Sequence, residues 1–246
     1  MMSKKTSRLG TAMIVGALLA VLAIGLMMFG ARLGFWQPIV GFGLIRNYMN
    51  PIGYAVAGLA AIGLVYQLVL RNNAGAVKAG VALFIGVLIL APTIYGKFQT
   101  PVRYPPIHDI STDTVNPPEF LVLDDSRSGA SNTLVYGGTE VAEHQAKAYP
   151  DIAPIESNLS ASEAFAEALN IGKKMGWEIV AQDQSSLRFE ATARTPIYQF
   201  ADDIVVVVTP TEGASRIDIR SVSRVGRSDR GVNAARIREF TAAFNG

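Results

Sequence analysis

The 246-residue chain has no cysteine and only two histidines. The first absence excludes disulfide staples, thiolate catalysis and the usual structural zinc sites. The second leaves His108, in PIHDIST, and His144 far apart and without an Asp/Glu/His cluster at ligand spacing, so no metal site is expected. No Gly-x-Ser-x-Gly elbow, Walker loop or post-strand Gly-x-Gly-x-x-Gly occurs, which argues against a serine triad and nucleotide cofactors. Charge is also missing from three long stretches, Leu9 to Ala31, Asn47 to Leu70 and Ala79 to Gly96.

Each stretch is near or above the roughly 18–20 apolar residues that a helix needs to cross about 30 Å of hydrocarbon. In lipid the backbone must satisfy its own hydrogen bonds, so helices are the expected form. The first stretch follows Lys4, Lys5 and Arg8 like a signal peptide, but its length and the two further spans favour a retained helix. The sequence thus divides into a transmembrane region over 1–98, with spans at about 10–31, 48–70 and 79–96, and a soluble domain over 99–246. Gly34 to Arg46, apolar and broken by Pro38, reads as an interfacial connector or a re-entrant loop. Small residues recur at Ala12, Gly16 and Ala20 and at Gly53, Ala57 and Ala61, faces suited to close packing within the bundle or to dimerisation. Absence of an ionisable group from the uncharged stretches argues against transport.

Lys4, Lys5, Arg8, Arg71 and Lys78 flank one side of the spans, against Arg32, Arg46, Lys97 and Arg103 on the other. By the positive-inside rule the N-terminus is cytoplasmic, which sends the domain after the third span to the outer side. Aromatic residues such as Trp36, Tyr48, Tyr54 and Tyr95 crowd the outer boundary, as an interfacial belt would.

In the soluble half, five prolines between Thr100 and Pro118 predict an extended arm, and Asp124 to Gly138 predicts an exposed, mobile loop. Helices are expected at 139–148, at 160–175 with Ser160 and Glu163 as a capping box, and at 233–244. Between them, Trp177 to Ala181 with Leu187 to Thr192, and Ile204 to Thr209 with Arg216 to Val225, predict two hairpins. The sum is an α+β domain, an antiparallel sheet covered by helices. Ile217 and Ile219 should share a face with Ile204, Val206 and Val208, leaving Asp218, Arg220 and Arg224 on the other.

The only dense chemistry is Asp202-Asp203 together with RSVSRVGRSDRGVNAARIR, where six arginines fall within nineteen residues from Arg220 to Arg238. Guanidinium forks grip phosphate or carboxylate, and Asn233 opening a helix adds free backbone donors, so an anion pocket is one reading. The other is structural: Asp203 pairs with Arg220 or Arg224, while Asp229 and Asn233 order the Gly226 to Gly231 turn.

FADDIVVVV from Phe200, RIDIRSVSRVGRSDRGVNAARI from Arg216, IHDISTD, PPEF and YPDIAPI together resemble the bacterial family known as domain of unknown function 1499, over about 104–246. The resemblance implies a bacterial envelope setting and supplies no activity. Its matching positions mark Asp202, Asp203, Arg220, Ser223, Arg224, Ser228, Asp229 and Asn233 as candidate ligand-binding residues, without a catalytic role. The expected partners are the bilayer, an anionic lipid or glycan and proteins of a membrane complex, with no cofactor, metal or nucleic acid. Two other functions compete with such a binding protein: an envelope lipid hydrolase or transferase using Asp202 or Asp203 as base, and a purely structural subunit of a membrane complex.

Overall fold

Residues 7–246 are described by a computed structural model, in which the chain divides into two units at Val102 and Arg103. The first unit holds three helices, α1 (Arg8–Phe29), α2 (Pro38–Val69) and α3 (Asn73–Gly96). All three are long and apolar enough to cross a membrane, with mean hydropathies of 2.6, 1.8 and 2.2 in their most apolar windows. At about 1.5 Å per residue, α1 and α3 are roughly 33 and 36 Å long, matched to a bilayer core, whereas α2 reaches about 48 Å. Most of the segment read as a connector is therefore the start of α2. Pro38 sits in the first turn, where its missing N–H costs no hydrogen bond, and Pro51 lies within the helix.

Capping fixes one end of this bundle. Ser7 Oγ accepts from Gly10 N, starting α1, and also from Gln67 Nε2 near the end of α2, while Asn72 Oδ1 accepts from Gly75 N at the start of α3. Lys78 Nζ donates to Thr11 Oγ1 across the same end. Glycine permits the close approach of the helices: a β-carbon on Gly86 would stand 2.6 Å from Ala57 N, and one on Gly53 would overlap Leu90. The expected stripe is used on α2 through Gly53 and Ala57. On α1 it is not, since Ala12 and Gly16 stay exposed and Gly10 and Ala17 are the buried small residues.

The second unit is a six-stranded antiparallel sheet with helices. Its strands are β1 (Asp109–Ser111), β2 (Ile155–Ser157), β3 (Glu178–Asp183), β4 (Arg188–Arg194), β5 (Ala201–Thr211) and β6 (Ala214–Ser223). The order is β1-β6-β5-β4-β3, with the short β2 also paired to β6. Helix α4 (Gly138–Ala148) precedes β2, α5 (Ala161–Lys174) follows it, and α6 (Val232–Asn245) closes the chain. Both expected hairpins form, and β5 pairs with β6 through Val206↔Ile219 and Val208↔Ile217. The capping box on α5 is present in both directions, Ser160 to Glu163 and back.

Strand alternation gives the sheet two unlike faces. Phe189, Ala191, Ile204, Val206, Val208, Ile217 and Ile219 form one core with Ala164, Phe165, Ala168 and Ile171 of α5 and Ala234, Ile237 and Phe240 of α6. Trp177 stacks on Phe240 at 5.4 Å and Phe165 meets Phe189 edge-on at 6.3 Å. The largest of these side chains contribute about 1.5–3 kcal/mol each by leaving water. Glu190, Thr192, Asp203, Asp218 and Arg220 alternate onto the opposite face, and all are buried. Residues 112–136 cover them. The stretch expected to be a mobile loop is thus pinned across the sheet, its Arg127 buried at 8% exposure.

Candidate functional site

The family-matched residues fall on both faces of the sheet. On the helical side, Arg236 Nη2 donates to Asp202 Oδ2 at 2.6 Å and Arg236 Nη1 to Asn233 Oδ1 at 2.5 Å. Asn233 is wholly buried, and its amide donates to Ser223 Oγ and His108 O while its oxygen also accepts from Ser221 Oγ. The carboxylate of Asp229 accepts from Gly231 N at 3.0 Å and from Asn233 N at 2.7 Å. Burial raises the pKa of Asp229, opposed by these two N–H groups and raised further by Asp202. Free donors were expected at this helix start to receive an external anion. Here the chain supplies its own carboxylate, ordering the turn in which Gly231 takes φ +81°. Ser228 Oγ caps the same turn by accepting from Arg230 N.

On the other face Asp203 has no exposure at all. It accepts from Arg224 Nη2 at 2.8 Å, Arg224 Nε at 3.0 Å, Arg127 Nε at 2.6 Å and Thr192 Oγ1 at 2.9 Å. Arg220 does not join them. The register Asp109↔Val222 brings Asp109 beside it, and a bidentate pair forms at 2.9 and 2.7 Å. Arg220 also donates to the carbonyls of Pro118 and Leu134, and its guanidinium lies 5.4 Å from the ring centre of Phe120 and 5.3 Å from that of Tyr136. Arg220, Arg224 and Arg236 are therefore interior cations, each matched to a carboxylate, and not an exposed basic surface. The carboxylate of Asp203 is engaged by Arg224, Arg127 and Thr192 and that of Asp202 by Arg236, so neither stands open as a general base.

Three partners in these networks escaped the sequence reading. Asp109 and Arg127 lie about a hundred residues from the motif they complete, and no local pattern links them. Glu190 carried a signal: it interrupts an apolar strand, RFEATA, at a position facing the covered side. It is 1% exposed, and its carboxylate accepts from three consecutive backbone N–H groups, Leu121 at 2.5 Å, Val122 at 3.1 Å and Leu123 at 2.6 Å. A buried carboxylate without such donors would cost several kcal/mol, so the loop is bound to the sheet through it.

Above Arg220 the same loop leaves a cleft of about 670 Å3, lined by Val115, Pro117, Phe120, Leu123, Leu134 and Tyr136 among others, with Glu119, Asp124 and Asp125 also on its walls. Burial pushes the Tyr136 hydroxyl up to about 12, with Asp109 adding to the rise and Arg220 opposing it. The cleft wall therefore carries a neutral phenol at any physiological pH. Val115 and Val135 stand 84% and 74% exposed. Among the described residues no group of three His, Asp or Glu side chains is placed to hold a metal ion.

No curated protein matches the chain significantly. Residues 109–244, more than half of it, match the family described as protein of unknown function (DUF1499), and these are the residues that build the sheet, both ion-pair networks and the cleft. The chain belongs to the DUF1499 family.

Proposed function

We propose that this protein is a membrane-anchored binding protein, and that the cleft over Arg220 is its ligand site. One observation carries the reading: an open cleft of ligand size, about 670 Å3, whose mouth holds valines 84% and 74% exposed above a floor rigidified by ion pairs. Small-molecule sites have this size, with a few fixed polar groups that orient the ligand. The arginine motif acts here as foundation. Because Arg220, Arg224 and Arg236 are already matched by Asp109, Asp203 and Asp202, these three support the shape of the site better than they support capture of an anionic lipid. A hydrolase or transferase using Asp202 or Asp203 as base is the weaker reading, since both carboxylates are buried and held by arginines.

The chain is further proposed to sit in a bacterial inner membrane with the N-terminus cytoplasmic and residues 103–246 periplasmic. In support, Arg8, Arg71 and Lys78 flank the end of the bundle joined by Ser7 and Gln67, and an odd number of spans sends the following domain to the other side.

The native chain has no thiol, so a single introduced cysteine is a unique handle. A fluorine tag on Val135→Cys in detergent-free nanodiscs is expected to shift when envelope extract from the source cells is added. The same tag on Ala166→Cys, exposed on α5 on the opposite face, is expected to stay still. Equal shifts at both positions, or none at Val135, would refute the site.

A further inference from the structure

Resting on the reading of the cleft as a binding site, we propose that its occupant is a short, basic and apolar peptide segment of a partner protein. Charge selects the class. Glu119, Asp124 and Asp125 line the cleft, and among the described residues the one cation lining it, Arg220, is cancelled by its bidentate pair with Asp109. An anion entering there meets Glu119 and Asp124 in a concavity whose walls concentrate their field, Asp125 being already paired with Arg127 at 3.1 Å. A lysine or arginine side chain meets the reverse. Of the three acids, Glu119 is exposed, and Asp124 keeps Oδ2 free of the bonds that hold its Oδ1 to Ser126.

Shape selects a chain over a small amine. Glu119, Phe120 and Leu123 wall the cleft on one side, and the intervening Leu121 and Val122 line a second, smaller depression of about 160 Å3 with Ala181, Gln182 and Arg188. Leu121 and Val122 are 65% and 59% exposed, so the apolar surface continues from one depression to the other. A small molecule fills one hollow; an extended pentapeptide spanning about 17 Å can lie across both. Three backbone N–H bonds to Glu190, and the bond from Arg188 to the Glu119 carbonyl, fix that wall beforehand, so little entropy is lost on docking.

The test uses the full chain in phosphatidylcholine nanodiscs, with empty discs as control, and three acetylated, amidated pentapeptides, LKLKL, LQLQL and LELEL, followed by titration calorimetry. LKLKL is expected to bind at least roughly tenfold tighter than LELEL, with the gap shrinking as salt rises. Glu119→Gln with Asp124→Asn should weaken LKLKL by roughly tenfold and leave LQLQL unchanged. Val135→Ser should weaken both. Binding of LELEL as tight as LKLKL, or an unaltered LKLKL affinity in the double variant, overturns the basic class. If all three peptides bind alike and Val135→Ser weakens all, the cleft survives as a site and the charge inference falls. Hexylamine matching LKLKL in affinity would replace the peptide by a small amine. If no peptide binds while the Val135 fluorine probe still responds to extract, the peptide inference alone is lost.

Discussion

Glu190 offers the sharpest way to separate architecture from function, because one side chain holds the loop that makes the cleft. Replacement by Gln keeps the volume but turns one acceptor oxygen into an NH2 group facing backbone donors. Oε1 serves Leu121 and Val122, and Oε2 serves Leu123 and a second, longer bond to Val122. Either orientation of the amide therefore strands at least one N–H. Hydrogen bonds to a charged acceptor contribute about 1.5–3 kcal/mol each, but Leu121 and Val122 are more than half exposed and water recovers part of the loss. The net expectation is roughly 2–3 kcal/mol, which for a unit of this size lowers the melting temperature by about 6–12 °C. Hydrogen exchange should speed up at Leu121 to Leu123 while β5 and β6 keep their protection. Native stability and unchanged exchange in Glu190→Gln would refute the claim that this carboxylate clamps the loop. A collapse of protection throughout the sheet would show that the carboxylate supports more than the loop.

Other perturbations follow from the same geometry. Gly86→Leu drives a side chain into the Ala57 backbone and should split α2 from α3, seen as loss of a monodisperse detergent-solubilised peak, while Gly16→Leu, with open space around it, should be tolerated. Asp229 has its folded pKa raised above the ordinary carboxyl value, so it favours the fold when protonated, below about pH 4, and that contribution is lost as pH rises through its folded value. Asp229→Asn turns an NH2 group toward Gly231 N or Asn233 N and should be less stable than the native chain at pH 3, with the deficit narrowing at neutral pH as the native carboxyl ionises, read by denaturant titrations. Tyr136 is raised in the same sense, so its contribution is complete below pH 10 and vanishes as pH climbs toward 12; ultraviolet titration of Tyr136→Phe should lack the last tyrosine to ionise. Asp183 is held down to about 2 by Ser185 and Ser186 in the β3–β4 turn, so Asp183→Asn should weaken the hairpin above pH 4 and be silent near pH 2, read by exchange at the turn amides.

The elements legible from sequence are those whose cause is local. Period-two alternation in Ile204 to Val208 and Arg216 to Val222 gave the second hairpin, its faces and even its partners, and Ser160 with Glu163 gave the start of α5. The three uncharged stretches gave the helices, with one boundary missed. Proline at Pro38 looked like a break because a proline ends helices more often than it is noticed beginning them, yet in the first turn it is compatible with helix. The loop from Asp124 to Gly138 is largely exposed, as its Ser, Gly and Asp composition predicts, but composition reports turns and not what ties them down, which is Arg127 reaching Asp203, 76 positions away in sequence.

A deeper ambiguity lay in the arginines, because a guanidinium offers the same fork to a ligand as to a carboxylate of its own chain. Which one it meets depends on register, and register is a long-range fact: Asp109 faces Arg220 only because β1 pairs with the far end of β6. With that pairing in place the motif has an economical physical explanation. A sheet sandwiched between helices and an irregular loop must bury its second face, and the loop covers it only in part with apolar side chains such as Phe120, Leu134 and Tyr136. Glu190 accepts from the loop's amides, Arg220 and Arg224 donate to its carbonyls, and Asp203 accepts from its Arg127 side chain. The same substitution of a polar for an apolar layer explains why removing one partner is expected to cost more than the pair contributes, since a stranded buried charge remains. Asp109→Asn should thus destabilise through Arg220 left unmatched beneath Phe120 and Tyr136, and Asp109→Asn with Arg220→Met should recover part of that loss. If the double variant is as unstable as the sum of its two single variants, the pair is not the coupled unit described here.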